Sequence, residues 1–160
     1  MIIRKMQVDD RRQLFKIYLQ GVEEGNATFE TEIDELKWWD QMKKADVFVI
    51  EEQAVVVGWI KMTSVSERPA YKGVRELSLY VDRAKRGKGY GRLLLQHMIQ
   101  FAEENGIWTL QSHIFSENTA SLTVQQQAGF TIVGRREKIA KHGGRWRDTL
   151  LLERRSQKID

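Results

Sequence analysis

The chain has no cysteine, a single proline (Pro69) and only three histidines in 160 residues. Without a thiol it can form no disulfide, no thiolate zinc site and no cysteine nucleophile, and it suits a reducing compartment. His97, His113 and His142 are scattered without metal-ligand spacing, so no metal is expected. No apolar run approaches the roughly 20 residues that span a bilayer, and Met1 to Asp9 lacks the apolar centre of a signal peptide. The expectation is a cytoplasmic protein with no membrane partner. One-sided charge is missing too: 26 basic residues face 22 acidic ones, for a net charge of +4. The basic residues gather at Arg83 to Arg92 and Arg135 to Arg147, whereas Glu23 to Glu35 is acidic. Two local clusters point to defined anionic groups, and no aromatic-basic recognition motif accompanies them, so nucleic acid is not an expected partner.

What is present suits one domain over residues 1–160. A chain of this size buries roughly 68–70% of its unfolded surface, enough for a core without staples. Ile2 to Gln7 reads as a first strand, and Asp9-Asp10 as an N-cap pair before Leu14, Ile17, Tyr18 and Val22 at helical spacing. Gly25-Asn26 stops that helix. Thr31, Asp34 and Glu35 open a second, with Leu36, Trp39 and Met42 on one face. Because Trp38 and Trp39 are adjacent, only one is expected in the core, while Trp108 and Trp146 read as core or interface anchors. Val47 to Ile50 and Ala54 to Met62 form strands around a turn near Gln53, and Val74 to Val81 alternates as a third. Leu93 to Glu104 is an apolar helix, Trp108 to Phe115 a strand, and Asn118 to Gln127 a short helix. Phe130 to Ile139 and Trp146 to Leu152 close the chain around His142-Gly143-Gly144. The order β-α-α-β-β-β-α-β-α-β-β predicts a mixed α/β sheet with helices on both faces.

The most informative segment runs from Leu79 through Gly87, Gly89 and Gly91 to Leu94. A strand enters a glycine turn and an apolar helix follows at once. Glycine lets the backbone turn sharply and approach a ligand closely. The amides opening the helix then face outward toward an anion, assisted by the helix dipole. Lys85, Arg86, Lys88 and Arg92 add positive charge at the same place. In physical terms this is a diphosphate cradle. It lacks the Walker pattern, and Gly87-x-Gly89-x-Gly91 differs from the dinucleotide fingerprint.

Arg86-Gly87-Lys88-Gly89-Tyr90-Gly91 resembles the Arg/Gln-x-x-Gly-x-Gly/Ala signature of the GNAT N-acetyltransferases, which bind acetyl-coenzyme A. The likeness covers nearly the whole chain, including Asn118-Thr119-Ala120-Ser121 and Ala128-Gly129-Phe130. It implies a GNAT-like, mostly antiparallel central sheet. It also implies that Leu79, Tyr80 and Val81 hold the pantetheine arm through their backbone, that Arg86 to Arg92 hold the pyrophosphate, and that Asn118 bonds near the pantetheine. Thioester polarisation would fall to a backbone N–H of Leu79 or Tyr80.

Ala27-Thr28-Phe29-Glu30, Arg68-Pro69-Ala70-Tyr71, Glu76 and Lys141-His142-Gly143-Gly144-Arg145-Trp146-x-Asp148 are similar to the phosphinothricin and methionine-sulfoximine acetyltransferase subfamily. That resemblance implies acetylation of the α-amine of a small amino acid or analogue, and a homodimer. An amine is mostly protonated at neutral pH, so a base must remove a proton. Glu76, just ahead of the pantetheine-binding residues, is the candidate. Arg68 would bind the acceptor's anionic group, with Phe29, Glu30, Tyr71, Leu77 and Ser78 around it. Gln125 stands where the family often has a tyrosine or histidine to protonate the leaving thiolate, and glutamine is no general acid. A polyamine, aminoglycoside or protein amine as acceptor, or an acyl-CoA-binding module without turnover, are the alternatives. With no cysteine, transfer is expected to pass directly from coenzyme to amine.

Overall fold

Apolar residues at helical spacing give the amphipathic helices their buried faces, and strand alternation does the same for the sheet. In the computed structural model, which describes residues 1–160, the chain forms seven strands and four α-helices. The elements in chain order are β1 (Ile2–Lys5), α1 (Arg11–Glu24), α2 (Glu35–Lys44), β2 (Asp46–Glu52), β3 (Val55–Ser64), β4 (Val74–Val81), α3 (Tyr90–Glu104), β5 (Thr109–Phe115), α4 (Thr119–Gln127), β6 (Thr131–His142) and β7 (Arg145–Arg155). Single 3-10 turns cover Val8–Asp10, Pro69–Tyr71 and Arg83–Lys85. One sheet runs in the order β1-β2-β3-β4-β5-β7-β6. Every neighbouring pair is antiparallel except β4–β5, giving the mixed, mostly antiparallel sheet expected. No helix is long and apolar enough to cross a membrane.

Two apolar cores flank the sheet. Under α3 and α4 lie Ile60, Met62, Leu77, Leu94, Leu95, Met98 and Leu152, among others. Under α1 and α2 lie Leu14, Ile17, Tyr18, Trp38, Trp39, Met42, Trp59 and Tyr80. Asp34 caps α2 by accepting the Lys37 N–H at 3.2 Å.

Several expectations need correction. Both Trp38 and Trp39 are buried, each 5% exposed, while Leu36 faces solvent at 68%. The apolar face of α2 is wide because it meets a layer of rings: Trp38 lies 5.0 Å from Phe15 and 5.7 Å from Tyr18. Trp146 is no core anchor; it is exposed, with the Lys141 ammonium 5.2 Å above its ring. Asp10 caps no α-helix through its side chain. Its carboxylate instead takes the Arg4 fork through two bonds of 2.8 Å and the Gln7 N–H at 2.7 Å.

Arg4's hydrogen bond holds Asp10 below its ordinary value against the opposing effect of burial, with the Gln7 N–H adding to it. A carboxylate depressed in the folded state stabilises above its unfolded value and loses that contribution as pH falls through the folded one. Stability is therefore expected to persist down to about pH 4 and to decline below it. Asp10→Asn should soften that decline, as read from urea midpoints across the acid range.

The start of the parallel β4–β5 pair is pinned by Gly73, whose carbonyl accepts the Trp108 and Thr109 N–H groups at 2.9 and 3.1 Å. A Cβ at Gly73 would stand 2.0 Å from the Trp108 ring. Gly73→Ala is expected to lower stability by about 1–3 kcal/mol through overpacking, measured as a shifted denaturant midpoint at unchanged slope.

Candidate active site

The site follows from where the sheet comes apart. β4 pairs with β5 only over Val74–Thr109, Arg75–Leu110 and Glu76–Gln111. Beyond that point β4 continues to Val81 and β5 to Phe115 without a ladder between them. Meanwhile β4 stays paired to β3 as far as Val81–Gly58. Leu79, Tyr80 and Val81 therefore present a backbone edge to an opening in the sheet.

That opening leads into a cleft of about 520 Å³. Its walls are the end of β4, the glycine turn, the head of α3, the segment after α1 and the β5–α4 connection. Arg86, Gly87, Gly89, Tyr90, Gly91 and Arg92 all line it, as does Asn118; Lys88 does not. Gly89 is the N-cap of α3 at φ 86°, a left-handed conformation that disfavours side chains, and it offers no side-chain cap. The first amide to find a partner is that of Leu93, bonded to the Gly89 carbonyl at 3.1 Å. The amides of Tyr90, Gly91 and Arg92 are thus left free of helix partners beside Lys85, Arg86 and Arg92. This donor set fits a diphosphate.

Ion pairs tie the glycine turn to α1. Arg86 Nη2 lies 2.7 Å from Glu24, and Arg83 lies 2.8 Å from Glu23. Tyr90 donates its hydroxyl to Glu52 at 2.6 Å. Arg86 can meet a phosphate only by sharing or leaving Glu24. Exposed pairs of this kind are worth about 0.2–1 kcal/mol. Glu24→Gln is accordingly expected to tighten binding of a diphosphate ligand by about two- to fivefold, read by calorimetry.

Asn118 has a local task as well. Its side-chain oxygen accepts the Ser121 N–H at 3.2 Å, capping α4, and its amide donates to the Asn26 carbonyl at 3.2 Å. Gln125 is buried in the same helix, bonded to Ser112 on β5 and, at 3.1 Å, to the Ser121 hydroxyl. It ties α4 to the sheet.

On the α1/α2 face, at the point where β4 and β5 part, Glu76 gathers three neighbours. His113 Nδ1 lies 2.7 Å from Glu76 Oε1, and Gln111 Nε2 donates to the same oxygen at 3.2 Å. The His113 contact, backed by Gln111 and the positive charge of Lys61, holds Glu76 below the usual carboxylate range although burial opposes it. Lys61 on β3 is half-buried, and burial lowers its pKa, with Glu76 opposing. Ser78 stands opposite Lys61 in the β3–β4 register.

The remaining acceptor-side residues are more dispersed. Leu77 points into the core under α3, so only its backbone can face an acceptor. Phe29 packs edge-on against Phe115 at 4.6 Å and faces His142 at 6.1 Å. Glu30 is exposed nearby. Arg68 and Tyr71 lie together outside the cleft, the guanidinium 5.8 Å over the ring.

One buried cation, not anticipated from the sequence, organises this wall. Arg147 is 3% exposed and donates to the Gly25 carbonyl at 2.8 Å, to Asn26 at 2.7 Å and to Glu117 at 3.2 Å. Its guanidinium also stacks 4.0 Å over Phe115 and contacts His142 at 3.0 Å. It joins β7 to the segment after α1 and to the β5–α4 connection. Gln111 and Lys61 carry no signal in the sequence, and His113 reads there only as one of three scattered histidines. Alternation places each on a strand face, but only the pairing of β3, β4 and β5 brings them to Glu76.

The sequence profile of the Acetyltransferase (GNAT) domain matches residues 3–151. The chain belongs to the GNAT acetyltransferase family. This acetyltransferase is 31% identical to phosphinothricin N-acetyltransferase of Alcaligenes faecalis, an alignment covering 95% of this chain and 81% of that protein. It is 30% identical to the L-methionine sulfoximine/L-methionine sulfone acetyltransferase of Pseudomonas aeruginosa, over 94% of this chain and 92% of the other. Among solved structures, Salmonella typhimurium YncA with its cofactor acetyl-CoA superposes with a TM-score of 0.89. That pair is 28% identical and the match covers 97% of this chain and 93% of YncA. The GNAT acetyltransferase presents no group of three or more side chains that could hold a metal ion.

Proposed function

We propose that this acetyltransferase moves the acetyl group of acetyl-CoA to the α-amine of a small amino acid or amino-acid analogue of the phosphinothricin or methionine sulfoximine kind. The observation that carries this reading is the placement of Glu76, with Lys61 behind it, where the sheet opens beside the cleft. A carboxylate and a cation on one sheet face suit the ammonium and the carboxylate of a zwitterion. The names of the two relatives support the same acceptor class.

The residues divide the work by position. The amides heading α3, with Lys85, Arg86 and Arg92, bind the coenzyme diphosphate; the free edge of Leu79 to Val81 binds the pantetheine arm. A backbone N–H at Leu79 or Tyr80 stabilises the carbonyl oxygen as the amine attacks, a role worth about 2.7–4 kcal/mol where such donors have been removed. Proton removal from the ammonium depends on Glu76. Glu76 and His113 lie on the same face as Phe29's neighbour Phe115, so Phe29 and Glu30 form the far wall of the acceptor site. The chain has no thiol to carry the acetyl group; transfer passes directly from coenzyme to amine. Gln125, engaged with Ser112 and Ser121, is not the proton donor to the thiolate, which takes its proton from the attacking nitrogen or from water.

Release of free CoA from acetyl-CoA in the presence of methionine sulfoximine, phosphinothricin and a panel of free amino acids tests the reading. Turnover with at least one of these acceptors, exceeding that with spermidine, an aminoglycoside or an N-terminal peptide, is the expected result. Preference for a polycation or a peptide would reassign the acceptor, and coenzyme binding without any turnover would make the protein a binding module.

A further inference from the structure

His113 lies in the stretch of β5 that has left β4, two residues beyond the last paired position, Gln111. Its side chain is 35% exposed, and the one strong contact it makes is with Glu76 at 2.7 Å. Glu76 stays ionised well below neutral pH because that contact, the Gln111 amide and the nearby Lys61 all favour the carboxylate. An ionised carboxylate only accepts hydrogen bonds. The hydrogen between the two groups must therefore sit on His113 Nδ1, and in the neutral ring Nε2 is left with a lone pair. A carboxylate that already accepts two hydrogen bonds is a poor base for an ammonium, whereas imidazole is the side chain that most often acts as a general base.

We propose that His113 is the base that takes the proton from the acceptor's ammonium, through Nε2, and that Glu76 is its positioning partner through Nδ1. This deepens the acetyltransferase reading of the site and rests on it. The ammonium gives one proton to Nε2, forming an imidazolium beside the Glu76 carboxylate. The freed nitrogen lone pair forms the C–N bond at the thioester carbonyl, and the C–S bond breaks with its electrons leaving on sulfur. The second proton lost from that nitrogen ends on the thiolate, while the imidazolium returns its proton to water. One acetylated amine, one CoA thiol and one released proton balance the reaction. The charged groups facing the dyad are Lys61 from β3 and, on β7, Glu153, which pairs with Gln111. His113 itself stands opposite the apolar Leu151. A carboxylate that orients and steadies an imidazolium is the logic of a Ser-His-Asp site, here without the serine.

Two readouts test the dyad. Nitrogen-15 spectra of histidine-labelled protein above neutral pH should show His113 as the Nδ1–H tautomer; an Nε2–H tautomer would overturn the proposal whether or not an acceptor has been found. In kinetics, His113→Ala and the more conservative His113→Asn should each lower kcat by about 10²-fold or more and leave acetyl-CoA affinity unchanged. Both should also remove the acid limb of the pH profile, and added imidazole should restore part of the rate in the alanine variant. Rates within threefold of wild type with the acid limb intact would assign the base to Glu76 alone. Failure of the wild type on every amine would count against the acetyltransferase reading, and the tautomer would still decide the dyad.

Discussion

Glu76→Gln is expected to cost about 10²–10⁴ in kcat, up to the ~10⁴ lost when the carboxylate behind a catalytic imidazole becomes an amide, while acetyl-CoA binds as before. Glutamine keeps the size of the side chain and can still accept a hydrogen bond from Gln111 or His113. It cannot carry the negative charge that fixes the imidazole tautomer and balances an imidazolium. The coenzyme cleft is walled by other residues, so affinity there has no reason to change. The sign of the pH dependence follows from the depressed carboxylate: Glu76 stays charged as pH falls through the ordinary carboxylate range. Protonation of Glu76 is therefore not expected to limit activity between neutral pH and about pH 5. Isothermal titration with acetyl-CoA beside steady-state rates separates the two quantities. A parallel loss of coenzyme affinity would mean that Glu76 supports the cleft itself.

Arg147→Met should cost about 2–3 kcal/mol of stability, the scale of one or two hydrogen bonds to a charged group, or roughly 5–10 °C in Tm. Methionine fills much of the same volume against Phe115 and gives up every donor. The carbonyl of Gly25 and the side chains of Asn26 and Glu117 then lose their shared partner. Those three residues stand on the rim of the coenzyme cleft or next to it. Asn26 in turn positions Asn118 through its carbonyl, and Phe29 lies in the same segment. KM for both acetyl-CoA and the acceptor is expected to rise several-fold with a smaller change in kcat. Arg147→Lys restores the charge but not the fork, so it should recover only part of either quantity.

Much of this architecture was legible in the chain. Leu14, Ile17 and Tyr18 recur at the period of a helix and are buried as that period requires. The alternation of Val74 to Val81 marks a strand, and three glycines with four nearby basic residues mark a turn built for an anion. Those signals are local: each depends on residues a few positions apart, so the chain carries them regardless of what it packs against. Where an element meets a distant one, local signals mislead. Trp38 reads as the odd member of a pair, yet it is buried because α1 and β3 bring Phe15, Tyr18 and Trp59 to it. Gln125 carries no mark of a structural role in its segment, yet it ties α4 to β5 through Ser112.

The meaning of the missing residues divides in the same way. The absence of cysteine by itself determined that acetyl transfer proceeds without a thiol acyl carrier, because a missing atom type is missing in every fold. The three histidines are scattered without metal-ligand spacing, so they carried no metal signal. What the remaining histidines do instead was decided by tertiary structure alone. His113 and Glu76 are separated by 37 positions, and nothing in the spacing of either strand says that β4 and β5 pair in parallel for three residues and then part. That pairing seats one imidazole on one carboxylate at the point where the two strands part. Register between distant strands is set by the packing of whole helices and cores, which no short segment of sequence encodes.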